Sequence, residues 1–183
     1  MNQVNRRRKP RTKSPNDCNK DCRPHFKGYD VKTGKSLLYK IEIDPAGKVS
    51  HNDQEGVRRG QYAFQTDLLI STESIPLVAI ELKSGSFSSH DVITYSSKAS
   101  RHKQVYPYLR YGFVVFGVEM LGRRFVTHNE AFDFAIAVPD ERSVEPALIP
   151  LVKSQIESSE RLIEMLRSNR VRVRRYEEIV ETE

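Results

Sequence analysis

Residues 65–83 read QTDLLISTESIPLVAIELK, two apolar runs separated by a short polar segment, with Asp67 opening the first run and Glu81 and Lys83 closing the second. The segment 71–75 is short enough for a hairpin connection, so the runs are expected to pair antiparallel. Side chains alternate between the faces of a strand, so Glu81 and Lys83 project together while Ile80 and Leu82 turn the other way into a core. An antiparallel return brings Asp67 beside Glu81. Two carboxylates so placed repel each other unless a divalent cation lies between them, and hard oxygen donors with room for water suit Mg²⁺. Lys83 beside such a cation can orient or help deprotonate a water and stabilise charge on a phosphate. The apolar flanks favour a central strand over a solvated strand end with a weak surface ion pair.

Outward from this hairpin, residues 36–44 carry Leu37, Leu38, Tyr39, Ile41 and Ile43 and read as the first strand. It ends at Asp44-Pro45-Ala46-Gly47, whose Pro and Gly supply turn dihedrals. Residues 48–60 are polar and unpatterned, a loop leading to the Asp67 strand. After Lys83, Ser84-Gly85-Ser86 frees the chain from the sheet, and residues 91–111 read as mainly helical, with Pro107 expected to kink or split the helix. Residues 113–118 and 131–138 are continuous apolar runs, expected as buried strands. Residues 146–169 carry Leu148, Val152, Ile156, Ile163 and Leu166 near the helical period, an amphipathic helix that either covers the sheet or meets a second subunit. Strands interleaved with helices predict an α/β fold with a central mixed β-sheet flanked by helices.

The chain has 183 residues, enough for one domain with a real core, expected over residues 25–183 behind a flexible basic tail at 1–24. The formal charge is +6, with the excess gathered in residues 6–13 and 167–175 and at Arg58, Arg59, Arg101 and Lys103, which suits a polyanionic partner. The N-terminal cluster taken alone reads equally as a solvated tail or as a clamp on DNA. Lys98, Arg101 and Lys103 share the expected helix after the Glu81 strand, where phosphate contacts would position DNA without reading its sequence. Neither a secretory apolar segment nor a bilayer-length run is present, so no membrane partner and a cytoplasmic location are expected. Cys18, Cys22 and His25 are three potential zinc ligands with no convincing fourth, and they read as incidental. His90, His102 and His128 lack the spacing of a metal or triad site and are expected to be surface or hydrogen-bonded residues.

The order Asp67, then Glu81-Leu82-Lys83 at the end of the next apolar strand, then a helix, resembles the PD-(D/E)XK nuclease superfamily. The wording IPLVAIELK at 75–83 and HKQVYPY at 102–108 is similar to the nuclease domain of type I restriction enzyme motor subunits. The likeness spans residues 65–117. It implies a restriction-endonuclease-like fold and a DNA endonuclease that uses Mg²⁺, with Mn²⁺ as a substitute. Asp67, Glu81 and the Leu82 carbonyl would be its metal ligands, and Lys83 would handle the water. Gln104 matches the family's helix glutamine, to touch a water or phosphate, or else simply to lie at the surface. Thr66 stands where the family often has Pro, and the upstream acid of many members has three candidates here, Glu42, Asp44 and Glu55. No Gly-rich phosphate loop occurs, so a motor or recognition unit would be a separate subunit; a homodimer through the terminal helix is the other assembly expected. The alternative is a nucleic-acid-binding module or accessory subunit that keeps the fold without chemistry.

Overall fold

The computed structural model describes residues 23–50 and 62–168, with Arg172, Arg174 and Glu181 beyond them. The sequence readings on residues 1–22, including Cys18 and Cys22, on Glu55, Arg58 and Arg59, and on most of 169–183 lie outside the described residues.

The hairpin at the centre forms as an antiparallel pair, with one irregularity that the pattern does not show. Strands β6 (Leu68–Thr72) and β7 (Ile75–Ser84) pair antiparallel with Thr72 opposite Ile75 and Leu68 opposite Ile80. Glu73 and Ser74 turn the chain at φ of 46° and 70°, the two left-handed residues of a hairpin turn whose twist matches its strands. The register shifts after Ile70, so Leu77 is an extra residue on β7. Leu77, Val78 and Ile80 consequently share one core, while Ala79 belongs to the other.

Five strands form the main sheet in the order β1-β6-β7-β8-β9, where β1 is Asp30–Thr33, β8 Arg110–Phe116 and β9 Phe134–Val138. The pairings β1/β6 and β6/β7 are antiparallel and β7/β8 and β8/β9 parallel, so the sheet is mixed and β7 is its middle strand. Helices cover both faces, and the chain is α/β. On one face lies α3 (Ile149–Arg167), entered through a π-helical turn at Val144–Leu148 and packing Ile149, Val152 and Ile156 onto Ile70, Ile80 and Val114. Each such buried aliphatic side chain contributes about 1.5–3 kcal/mol of transfer free energy. Leu166 at the far end is exposed. On the other face lie α1 (Ser89–Val105) and α2 (Gly122–His128), over Ala79, Tyr111, Phe113 and Val115. No described helix is long and apolar enough to cross a membrane.

Four sequence expectations change. Residues 36–44 do not form one strand: β2 (Ser36–Leu38) pairs with β5 (Ala63–Gln65), and β3 (Glu42–Ile43) pairs with β4 (Val49–Ser50), taking the start of the expected 48–60 loop into a second hairpin. The apolar spacing runs across the break, yet only Leu37 and Leu38 are buried while Ile41 and Ile43 are exposed, so it does not mark one core strand. The edge strand β1 precedes them, with only Val31 buried to mark it. The helix after Lys83 stops at Val105, with Tyr106 as its cap, and Pro107 lies in the turn to β8 rather than inside a kinked helix. Helix α2 carries no buried residue and so leaves no periodic signal, although Phe125 stacks near Phe113 and Phe132.

Candidate active site

Asp67 precedes β6, opposite the position where β7 reaches Glu81. The ladder begins only at Leu68, so the N–H of Leu82 has no strand partner on that edge. The Asp67 carboxylate takes its place, accepting from Leu82 N at 2.8 Å through Oδ2. This bond holds Asp67 against the Glu81-Leu82-Lys83 segment, and a residue's N–H and C=O leave a strand by the same edge, so the Leu82 carbonyl faces the Asp67 side too. Thr66 explains the departure from proline. Its N–H and hydroxyl both donate to the Lys35 carbonyl at 2.9 Å, and proline has no N–H to give.

Glu81 is buried, 1% exposed. Its Oε1 accepts from Lys98 Nζ at 2.7 Å and from the Tyr111 hydroxyl at 2.6 Å, while Oε2 takes neither bond. Burial pushes the carboxyl up to about 6, against the pull of Lys98 and with a further push from the charge of Asp67. The two carboxylates therefore sense each other, as the strand geometry requires. Tyr111 is held well above the ordinary phenol range, first by burial and then by the Glu81 charge, so it remains a hydrogen-bond donor.

Lys83 leaves the same face as Glu81 and reaches the N-terminus of α1. There Ser88 and Asp91 form a reciprocal capping box, and the other oxygen of Asp91 accepts from Lys83 Nζ at 2.7 Å. These bonds, Lys83 first, hold Asp91 down to about 2, and in return Asp91 raises Lys83. Lys83 is thus a fixed cation.

The structure brings Asp67, Glu81, Leu82 and Lys83 together and leaves Gln104 out. Gln104 is exposed, and six residues along an α-helix from Lys98 turn it about 120° away from the face that meets Glu81. Glu42 is exposed on β3, 3.6 Å from Lys40, and Asp44 accepts from the N–H groups of Ala46 and Lys48 within its own turn. Neither joins Asp67 and Glu81.

The residues that sequence reasoning misplaced lie on α1. Asp91, Tyr95, Lys98 and His102 recur at intervals of four, three and four, a polar stripe at the helical period that could have been read. Lys98 turns inward to Glu81 and to the Gln65 carbonyl at 2.8 Å instead of outward to phosphate. Lys103 is likewise engaged, with Asp133 at 2.7 Å and the Ala131 carbonyl at 2.8 Å, because Asp133 must be neutralised where it is buried. Arg101 alone of the three is exposed. His102 is fully buried, stacked on Tyr111 at 5.5 Å, with Nε2 3.2 Å from the Leu37 carbonyl and Nδ1 unpartnered. Burial, then Lys98, holds the imidazole down to about 4.

The donor set fits a hard divalent cation. Among the described residues, the groups at this end of β7 with donor atoms to spare are oxygens: Asp67 Oδ1 and Glu81 Oε2 take none of the bonds above, and the Leu82 carbonyl lies on their edge. Among the described residues no group of three or more His, Cys, Asp or Glu gathers as a metal site, so the carboxylate pair with a backbone oxygen is what the chain offers. No family model matches the chain, and no curated protein or solved structure is significantly similar to it.

Proposed function

We propose that this chain is a metal-dependent phosphodiesterase that cleaves DNA, on a restriction-endonuclease-like frame. The observation that carries the reading is the Asp67 Oδ2 bond to Leu82 N, which holds one carboxylate at the strand end where Glu81 and Lys83 share a face. Asp67, Glu81 and the Leu82 carbonyl would hold Mg²⁺, or Mn²⁺ in its place, which when bound supplies Lewis acidity at a phosphate. Lys83 contributes a permanent positive charge to stabilise the phosphate as charge builds up. With Asp91 raising its proton affinity, it acts as an electrostatic group and not as the base. Target choice would fall to loops, a second copy or a separate recognition subunit. A cytoplasmic setting accords with this reading.

The Lys98–Glu81 bridge favours a second reading. An ammonium already stands 2.7 Å from Glu81, and a protein that keeps this cation permanently has the frame without the chemistry, as a nucleic-acid-binding module. Plasmid nicking with Mg²⁺, Mn²⁺ or chelator separates the two. The nuclease reading expects metal-dependent nicking that is lost in Lys83→Ala and in Asp67→Asn, with both variants folded. Nicking at the parental rate in folded Lys83→Ala would remove Lys83 from the site, and no nicking with either metal would leave the binding module.

A further inference from the structure

Tyr39, Tyr62 and Phe64 form an aromatic group beside the Glu81 site. The rings of Tyr39 and Phe64 are stacked, 4.1 Å between centroids and 15° between planes, and Tyr62 meets Tyr39 edge-on at 6.2 Å and 83°. Each tyrosine carries a cation on its ring: Lys40 Nζ lies 4.6 Å from the centre of Tyr62, and the Arg101 guanidinium 5.8 Å from that of Tyr39. Both cations are on exposed residues, and Tyr62 is 40% exposed. Rings that served only as core would be covered by apolar side chains, not by long mobile cations.

Tyr62 adopts φ of 47°, a costly conformation for a residue of its size, and its carbonyl accepts from Tyr39 N at 2.8 Å. The hydroxyl end is tied to Glu42, which also lies 3.6 Å from Lys40. The ring is therefore held by its backbone and its polar edge, leaving a face to the cation. The group adjoins the carboxylate site by bonds already described. Phe64 precedes Gln65, whose carbonyl accepts from Lys98, and Arg101 follows Lys98 by three residues on α1.

We propose that this aromatic group is a stacking platform for an unpaired nucleobase, so that the nucleic acid reaching the Glu81 site is single-stranded beside it. Ring faces interleaved with Lys40 and Arg101 provide base stacking and phosphate neutralisation together, a combination that a paired duplex cannot use because its base faces are hidden. The charge of +6 favours a polyanion over a neutral apolar peptide as the occupant. The proposal rests on the nuclease reading for the class of polymer it names.

Binding of a labelled oligothymidylate and of a hairpin duplex of equal length, titrated in chelator at fixed salt, tests the platform. Tyr62→Leu and Tyr39→Leu, each shown folded by circular dichroism and melting, should lose roughly fivefold or more in affinity for the oligothymidylate, with duplex binding unchanged. Tyr62→Phe keeps the ring face while releasing its tie to Glu42, and should bind far closer to the parent than Tyr62→Leu does. Should Tyr39→Leu fail to fold, the exposed Tyr62 decides. Unchanged oligothymidylate affinity in folded Tyr62→Leu, or an equal loss on duplex, overturns the proposal. The nicking assay is independent of this outcome: stacking losses without any metal-dependent nicking keep the platform and remove the nuclease, and nicking without stacking losses does the reverse.

Discussion

At the scale of the residue, the decisive contact is a buried carboxylate that depends on one ammonium group. Lys98 is 16% exposed at its side chain and Glu81 2%, so the pair has left water and neither charge can be spared alone. Lys98→Met should lower stability by about 3–5 kcal/mol in the metal-free protein, since it strands the Glu81 charge. Most of that loss should return in the double variant with Glu81→Gln, and urea unfolding in chelator measures it; additive losses would mean the bridge is not what Lys98 supports. The same pair shapes the response to acid. Glu81 stands at about 6 in the fold against an ordinary 4.5, and His102 at about 4 against 6.5. Between those limits the folded Glu81 binds a proton that the unfolded chain has released, so its contribution grows on acidification. His102 in the same window lacks a proton that the unfolded chain holds, so its contribution shrinks. The two slopes oppose each other in the window from 4.5 to 6. Removing the first with Glu81→Gln should therefore steepen the acid loss of stability there, by up to about 1.4 kcal/mol per pH unit. A variant as flat as the parent would show that Glu81 does not titrate in this range.

At the scale of the element, close packing on β8 fixes a residue that periodicity cannot. Gly112 lies opposite Phe134 in the parallel ladder, and a Cβ at Gly112 would run into the Phe134 ring. No rotation of a flexible chain relieves that contact, because the ring itself is in the core. Gly112→Ala should cost about 1–3 kcal/mol by overpacking, and Phe134→Leu in the same chain should return part of it. Thermal melting of the two variants checks this, and an unchanged Gly112→Ala would mean that the two strands can part cheaply. Legibility at this scale followed burial. The β6–β7 hairpin and α3 were readable because each presents a continuous apolar run or stripe to one core, whereas α2 buries nothing and β1 buries only Val31. Gln104 and Lys98 show the same limit within one helix. A motif likeness pointed to Gln104, but the face that meets Glu81 is set by the rotation of α1, which its buried Val92, Ser96, Ala99 and His102 determine.

At the scale of the whole molecule, the sheet places β7 at the centre of two layers of helices and puts the polar end of that strand under α1. The basic clusters that suggest a polyanionic partner, residues 6–13 and 167–175, fall mainly on residues that the structure does not describe. If they meet phosphate, deleting residues 1–24 should weaken DNA binding and flatten the dependence of affinity on salt, by a slope of about 0.9 for each duplex phosphate no longer neutralised. An unchanged slope would leave the electrostatics to the cluster at 167–175 and to the exposed Arg101 and Lys40. By itself the sequence determined the alternation that makes β6 and β7 strands, their antiparallel return and the common face of Glu81 and Lys83, because these follow from a period of two and a short connection; the bulge at Leu77, which the pattern does not show, is what sets Asp67 opposite Glu81. Only the tertiary structure decided which cation neutralises Glu81, which face α1 turns to it, and that Tyr39, Tyr62 and Phe64 gather beside it. Those interactions join residues far apart in the chain, and their partners are chosen by packing and by the cost of leaving a buried charge alone.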